Sequence, residues 1–260
     1  MYNHSTLLLK NFQEKVQSTF INERTPFYFI STSFLFITIV LSIMSAIYAK
    51  ENFPDFFPNP GYYYDKAIHD STTVDKLCWY FSQITHHTLL LLFSYFFLAL
   101  INRKSELYFK MVAPLALTIS VLYFYYLFPR QRLELHQLPF YNFFSHFMII
   151  FLVIGEFMYI KQYSFEETTH CFIFILTCLC SILINYTLRG VWSYNLVKLD
   201  QYKGWYMVGL TTLVMYFFSL MFFFLKNRKS PFYGIKTEKL WKYIPFFSSL
   251  GGIIVFLFVS

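Results

Sequence analysis

The chain has 260 residues, of which 57% are hydrophobic, 23% aromatic and 13% charged, with a mean hydropathy of +0.46. A water-soluble domain carries about a quarter charged residues, so the composition excludes an ordinary soluble enzyme and indicates an all-α, polytopic transmembrane bundle of six or seven spans. The formal net charge of +7 does not indicate a nucleic-acid partner, because the basic residues fall between apolar runs, where they set orientation in a bilayer.

Residues 1–26 form an amphipathic segment. Leu7, Leu8, Leu9, Phe12, Val16 and Phe20 recur at the spacing of a helix lying on a membrane surface. The first ~25 residues lack the short apolar core and small-residue cleavage site of a secretory signal, so no cleavable leader is expected. Residues 27–225 are read as a six-span core, with spans at 27–48, 77–101, 107–128, 139–160, 168–188 and 205–225. Each is long enough for a hydrocarbon layer about 30 Å thick. Between the first two, Pro54, Pro58 and Pro60 interrupt any continuous helix. Residues 226–260 hold a basic loop and a shorter seventh span at 243–259.

With the amino terminus inside, the inner segments hold thirteen of the 21 Lys and Arg residues and the outer ones eight. The positive-inside rule therefore predicts a cytoplasmic amino terminus. In that topology the second and fourth spans run inward and the fifth runs outward, so their polar residues meet in one layer.

That layer is the chemically informative part of the chain. Residues 78–88 carry Ser82, Gln83, Thr85, His86, His87 and Thr88 at the head of an apolar run, and polar groups facing hydrocarbon are costly. Ser82, Thr85 and His86 are spaced three and four apart, as for one helix face, with His87 turned toward Gln83. Asn142 with His146, and Asn185 with Arg189, repeat the four-residue spacing. A threonine hydroxyl needs a base to become a nucleophile, and histidine is suited to that task near neutral pH. Thr85 and His146 are therefore the candidate catalytic pair, with Ser82, His86, Asn142, Asn185 and Arg189 as pocket residues. The competing reading is that these groups only tie helices together.

No cofactor is expected, since a lipid-facing surface accounts for the aromatics. No metal is expected either: His86, His87 and His146 include no His-x-x-x-His pair and share their layer with no acidic residue. Cys78, Cys171, Cys178 and Cys180 lack ligand spacing and are read as packing residues. Asn3-His4-Ser5 and Asn185-Tyr186-Thr187 match the glycosylation triplet, but fall on the cytoplasmic side and within a span. Glu156, deep in the fourth span, is the residue a proton-coupled transporter would use; Arg189 sits at the wrong level to pair with it.

Three segments, 79–85, 138–146 followed by Glu156, and Arg189-Gly190-Val191-Trp192-Ser193-Tyr194, resemble landmarks of the androgen-induced membrane hydrolase family. Its members are multi-span enzymes that cleave fatty acid esters of hydroxy fatty acids with a membrane threonine and a histidine. The resemblance covers roughly residues 76–226, places the threonine on Thr85 and the histidine on His146, and adds Trp192 to the pocket through a Gly-x-Trp-x-Tyr pattern. It departs from the family in one histidine missing between Asn142 and His146 and in the His146 to Glu156 spacing. It implies an enzyme of the endoplasmic reticulum whose partners are membrane lipids and whose substrate is a lipid ester. A related acyltransferase would use the same pocket; a transporter or non-enzymatic membrane scaffold is the alternative from another class.

Overall fold

The computed structural model describes residues 24–52, 72–131, 140–190, 192–194 and 197–227. The surface-helix segment before residue 24, the proline-containing loop over residues 53–71 and the basic loop and seventh run after residue 227 lie outside the described residues. Among those described, every regular element is helical. They are α1 (Thr25–Asn52), α2 (Thr73–Phe81), α3 (Ile84–Leu100), α4 (Glu106–Leu122), α5 (Phe128–Gln131), α6 (Phe140–Phe143), α7 (Ile149–Phe157), α8 (Phe172–Arg189) and α9 (Tyr202–Lys226). π-helical turns at Tyr123–Leu127 and Phe144–Met148 join α4 to α5 and α6 to α7, and a 3₁₀ turn at Glu166–Thr169 leads toward α8.

Four stretches, Thr25–Ile47, Glu106–Tyr125, Glu166–Arg189 and Tyr202–Lys226, are long and apolar enough to cross a membrane. Ile84–Leu100 and Tyr141–Phe157 are apolar but shorter. The chain is accordingly built as a multi-pass helical membrane protein. Its surface agrees with that, since Phe29, Phe36, Phe151, Leu176 and Phe217 are exposed rather than packed inside.

Helix α4 is the axis of the bundle: 67% of its span is buried, against 28–33% in the other three long helices. It packs on α3, α7, α8 and α9, while α1 lies along α3. Ala113 and Ala116 supply the small side chains that let neighbouring backbones approach α4. Pro114 has no amide proton, so the carbonyl of Lys110 one turn back loses its helical partner. The Tyr163 hydroxyl donates to that carbonyl at 3.0 Å and also meets Ser219 Oγ at 3.0 Å. The apolar core around this axis is built by Leu89, Leu92, Tyr95, Phe96, Phe109 and Val153.

The second predicted span is not one helix. It breaks at Ser82–Gln83 into α2 and α3, with Gln83 in extended backbone conformation. A single face shared by Ser82, Thr85 and His86, as expected from their spacing, therefore does not form. The fourth span is likewise interrupted, by the π turn that contains His146.

Charges close the two ends of the bundle. At one end Glu156, with no exposed side-chain surface, meets Arg24 Nη2 at 2.7 Å, Lys104 Nζ at 2.7 Å and the Tyr95 hydroxyl at 2.5 Å. Lys110 holds both carboxylate oxygens of Glu167 at 2.9 Å. At the other end Arg189 Nε donates to Asp75 at 3.2 Å and its Nη1 to Asn185 Oδ1 at 3.1 Å.

Candidate functional site

The site grows from the break at Ser82–Gln83. Where an α-helix stops, its last carbonyls lose their partners. One of them, the Phe81 carbonyl, is taken by Nε2 of His87. His87 therefore turns back across the break toward Phe81 and α8, where Nδ1 meets Cys178 Sγ at 3.3 Å and Nε2 lies 3.4 Å from Ser181 Oγ. It does not turn toward the Gln83 side chain, as the spacing alone suggests.

The same break denies Thr85 the bond that many helix hydroxyls make. Thr38, Thr88, Ser94, Thr118, Ser120, Thr211 and Thr212 all fold back onto the carbonyl four residues earlier, the usual way to satisfy a hydroxyl in an apolar helix. Thr85 sits in the first turn of α3, and the carbonyl four residues before it is the one His87 occupies. Its hydroxyl contacts the Tyr194 hydroxyl instead, and its backbone N–H points to the same oxygen at 3.4 Å. Burial holds the Tyr194 phenol above its ordinary range, so it remains a protonated donor.

Tyr194 is brought there by the end of α8. Gly190 takes the left-handed conformation, φ 68°, and its N–H bonds the Tyr186 carbonyl at 2.7 Å, a glycine helix stop. The chain then doubles back: Trp192 stacks on Tyr186 with centroids 3.9 Å apart, and Ser193 Oγ donates to Ser82 Oγ at 2.6 Å. Gly204 secures the far side of this segment, because a Cβ there would run into the Lys198 backbone carbonyl.

The two candidate histidines lie flat on tyrosines. His86 stacks on Tyr80 with centroids 3.6 Å apart, reaching back across the break, and Tyr80 is fixed by Ser42 at 2.5 Å. His146 stacks on Tyr123 at 3.7 Å, and the two rings differ in tilt by 1°. The imidazole of His146 is near enough to act electrostatically on that of His86. In both, Nδ1 is buried and has no hydrogen-bond partner. Buried polar atoms in folded proteins are nearly always bonded, and two such exceptions stand together here.

Of the other residues singled out from the sequence, Asn185 accepts from Arg189, which also donates to Asp75. The Asn142 backbone carbonyl accepts from Ser145 Oγ at 3.2 Å. Trp192 serves as a packing plate for the return of the chain. Among the described residues no three of His, Cys, Asp and Glu come together as a metal site.

No protein-family model matches the chain, and no curated protein or solved structure matches it.

Sequence reasoning passed over Tyr194, Tyr123 and Tyr80 as site residues. Tyr194 was within reach, since the Gly-x-Trp-x-Tyr pattern contains it. The other two carry no local signal, as nothing in a tyrosine-rich sequence marks which ring will meet an imidazole. What the arrangement offers is a hydroxyl that meets the segment returning after α8, the phenol donor of that segment beside it, and two buried imidazoles with an unshared nitrogen each.

Proposed function

We propose that the chain is an intramembrane hydrolase of lipid esters, with Thr85 as the nucleophile and His146 as the base. The observation that supports this most is the pair of buried, unpartnered Nδ1 atoms on His86 and His146, together with the helix break that leaves Thr85 without its usual carbonyl partner. His146 takes the Thr85 proton as Oγ attacks the ester carbonyl. The Tyr194 hydroxyl donates to the developing oxyanion, and the Tyr123 ring stacked on His146 faces the charge that forms there. The departing alkoxide receives the proton, and water then releases the acid from Thr85. An acceptor alcohol in place of water makes the same site an acyltransferase.

The membrane arrangement under this reading has six spans, the two shorter apolar helices included, since a bilayer adapts to short spans at modest cost. Residues 243–259 add a seventh. The amino terminus is cytoplasmic and the membrane is that of the endoplasmic reticulum, in keeping with the resemblance to androgen-induced membrane hydrolases. The transporter alternative is the weaker, because Glu156, the residue it needs, is engaged by Arg24, Lys104 and Tyr95.

The test is hydrolysis of a long-chain fatty acid ester of a hydroxy fatty acid by the purified protein in detergent micelles. Thr85→Ala and His146→Ala should each lower the rate at least about 100-fold, the low end of what general-base assistance contributes. Rates within about threefold of wild type in both variants would remove the proposal.

A further inference from the structure

A buried thiol in contact with an imidazole lies outside the Thr85 site. Cys178, buried on α8, has Sγ 3.3 Å from Nδ1 of His87 on α3, and the opposite ring nitrogen, Nε2, reaches the Phe81 carbonyl. A carbonyl oxygen only accepts hydrogen bonds, so the Phe81 contact fixes the proton of the neutral ring on Nε2. Nδ1 is then bare and faces the thiol. Ser181 Oγ, 3.4 Å from Nε2, adds a second polar contact on the protonated side.

This is the arrangement that activates a cysteine: nucleophile and base in contact, with the base oriented by a third group. The residue also borders a cleft. Cys178 lines a narrow apolar cleft between α8 and α9 that is partly open to the surroundings. Ile84, Ile175, Leu179, Ile182 and Val208 form most of its wall.

We infer that Cys178 and His87 form an acyl-accepting site that takes the acyl group of a long-chain acyl thioester, with the hydrocarbon chain in the cleft between α8 and α9. In the transfer, His87 Nδ1 takes the Cys178 proton, and Sγ attacks the thioester carbonyl. The new carbon–sulfur bond to Cys178 forms as the bond to the carrier thiol breaks. The proton passes from His87 to the departing thiolate. One acyl thioester and one thiol are consumed, and one acyl thioester and one thiol are produced, with no change of oxidation state. The reading is independent of Thr85.

The experiment incubates the full chain, purified in detergent, with an alkynyl palmitoyl thioester of coenzyme A, and locates the label by peptide mass spectrometry. The expected result is a hydroxylamine-labile label on Cys178, retained in Thr85→Ala and in the exposed-cysteine variants Cys78→Ser and Cys180→Ser. It should be lost in Cys178→Ser and reduced at least tenfold in His87→Gln, where the side chain can still donate to Phe81 but cannot take a proton. Wild-type protein that stays unlabelled, or is labelled only at Cys78 or Cys180, overturns the inference, and that result needs no variant to fold. Unchanged labelling of a folded His87→Gln overturns the role of His87.

Discussion

His146 and Tyr123 are stacked face to face, and each belongs to a π-helical turn, Phe144–Met148 and Tyr123–Leu127 respectively. A π turn inserts an extra residue into a helix and shifts the side chains that follow, and such turns gather at functional sites. Here two of them meet at one imidazole. Phe124 and Phe147 pack edge to face beside the stack, so the ring of His146 is held in one orientation by aromatic surface rather than by hydrogen bonds.

Replacing Tyr123 tests that orientation. Tyr123→Phe keeps the ring and should leave ester hydrolysis near the wild-type rate. Tyr123→Leu removes an aromatic pair worth about 0.5–1.5 kcal/mol beyond burial and should lower the rate roughly tenfold, equivalent to about 1.4 kcal/mol of transition-state stabilisation. If Tyr123→Phe falls as far as Tyr123→Leu, the hydroxyl rather than the ring does the positioning.

Gly190 controls whether Tyr194 reaches Thr85. At φ 68° a side chain costs about 1–2 kcal/mol. Nothing crowds the position, so the penalty is one of backbone conformation alone. Gly190→Ala should lower thermal stability in detergent by that amount and reduce hydrolysis further than the stability loss explains, because the return of Trp192, Ser193 and Tyr194 shifts with it. A melting temperature and rate both equal to wild type would show that α8 can end another way.

The Glu156 cluster is structural and should behave so. Removing one partner of a buried ion pair leaves the others uncompensated, typically at about 3–5 kcal/mol. Glu156→Ala, which strands Arg24 and Lys104, should be the least stable single variant in this cluster by thermal aggregation in detergent. Glu156→Gln, which keeps an acceptor for Tyr95, should lose less. Equal melting temperatures for wild type and Glu156→Ala would contradict the cluster.

The opposite end carries a pH signature. The Thr72 hydroxyl, and after it the Arg189 guanidinium, hold the Asp75 carboxyl below its ordinary range. A carboxyl whose value is depressed on folding contributes stability that is complete above its unfolded value, about 3.9, and is lost as pH falls through the folded value. The difference in melting temperature between wild type and Asp75→Asn should thus be constant from about pH 7 to 5 and shrink below about pH 4. A difference that persists unchanged to about pH 3 would mean Asp75 contributes nothing through its charge.

The sequence carried the long helices well because their signal is additive. Runs of apolar residues at 27–48, 107–128, 168–188 and 205–225 each lie within a few residues of the observed α1, α4, α8 and α9. The break at Ser82–Gln83 was illegible for the opposite reason. No Pro or Gly marks it, and the apolar run continues through it; His87 from the next turn takes the freed Phe81 carbonyl, and the Ser82 side chain is held by Ser193, 111 residues away. Spacing arguments failed wherever they assumed an unbroken α-helix, as for Ser82 with Thr85 and His86, and held where the helix is regular, as for Asn185 with Arg189. The partners of Glu156 were hidden too, since Arg24 and Lys104 lie in segments flanking spans and only the closed bundle brings them to the carboxylate.

The central claim is that Thr85 is a nucleophile activated by an imidazole, and covalent labelling reads it most directly. Membranes bearing the protein are treated with a fluorophosphonate probe, and the modified peptide is located by mass spectrometry. The account predicts one adduct, on the Thr85 hydroxyl, abolished in Thr85→Ala and nearly abolished in His146→Ala. An adduct on another residue, or labelling of Thr85 that survives the loss of His146 undiminished, would contradict it.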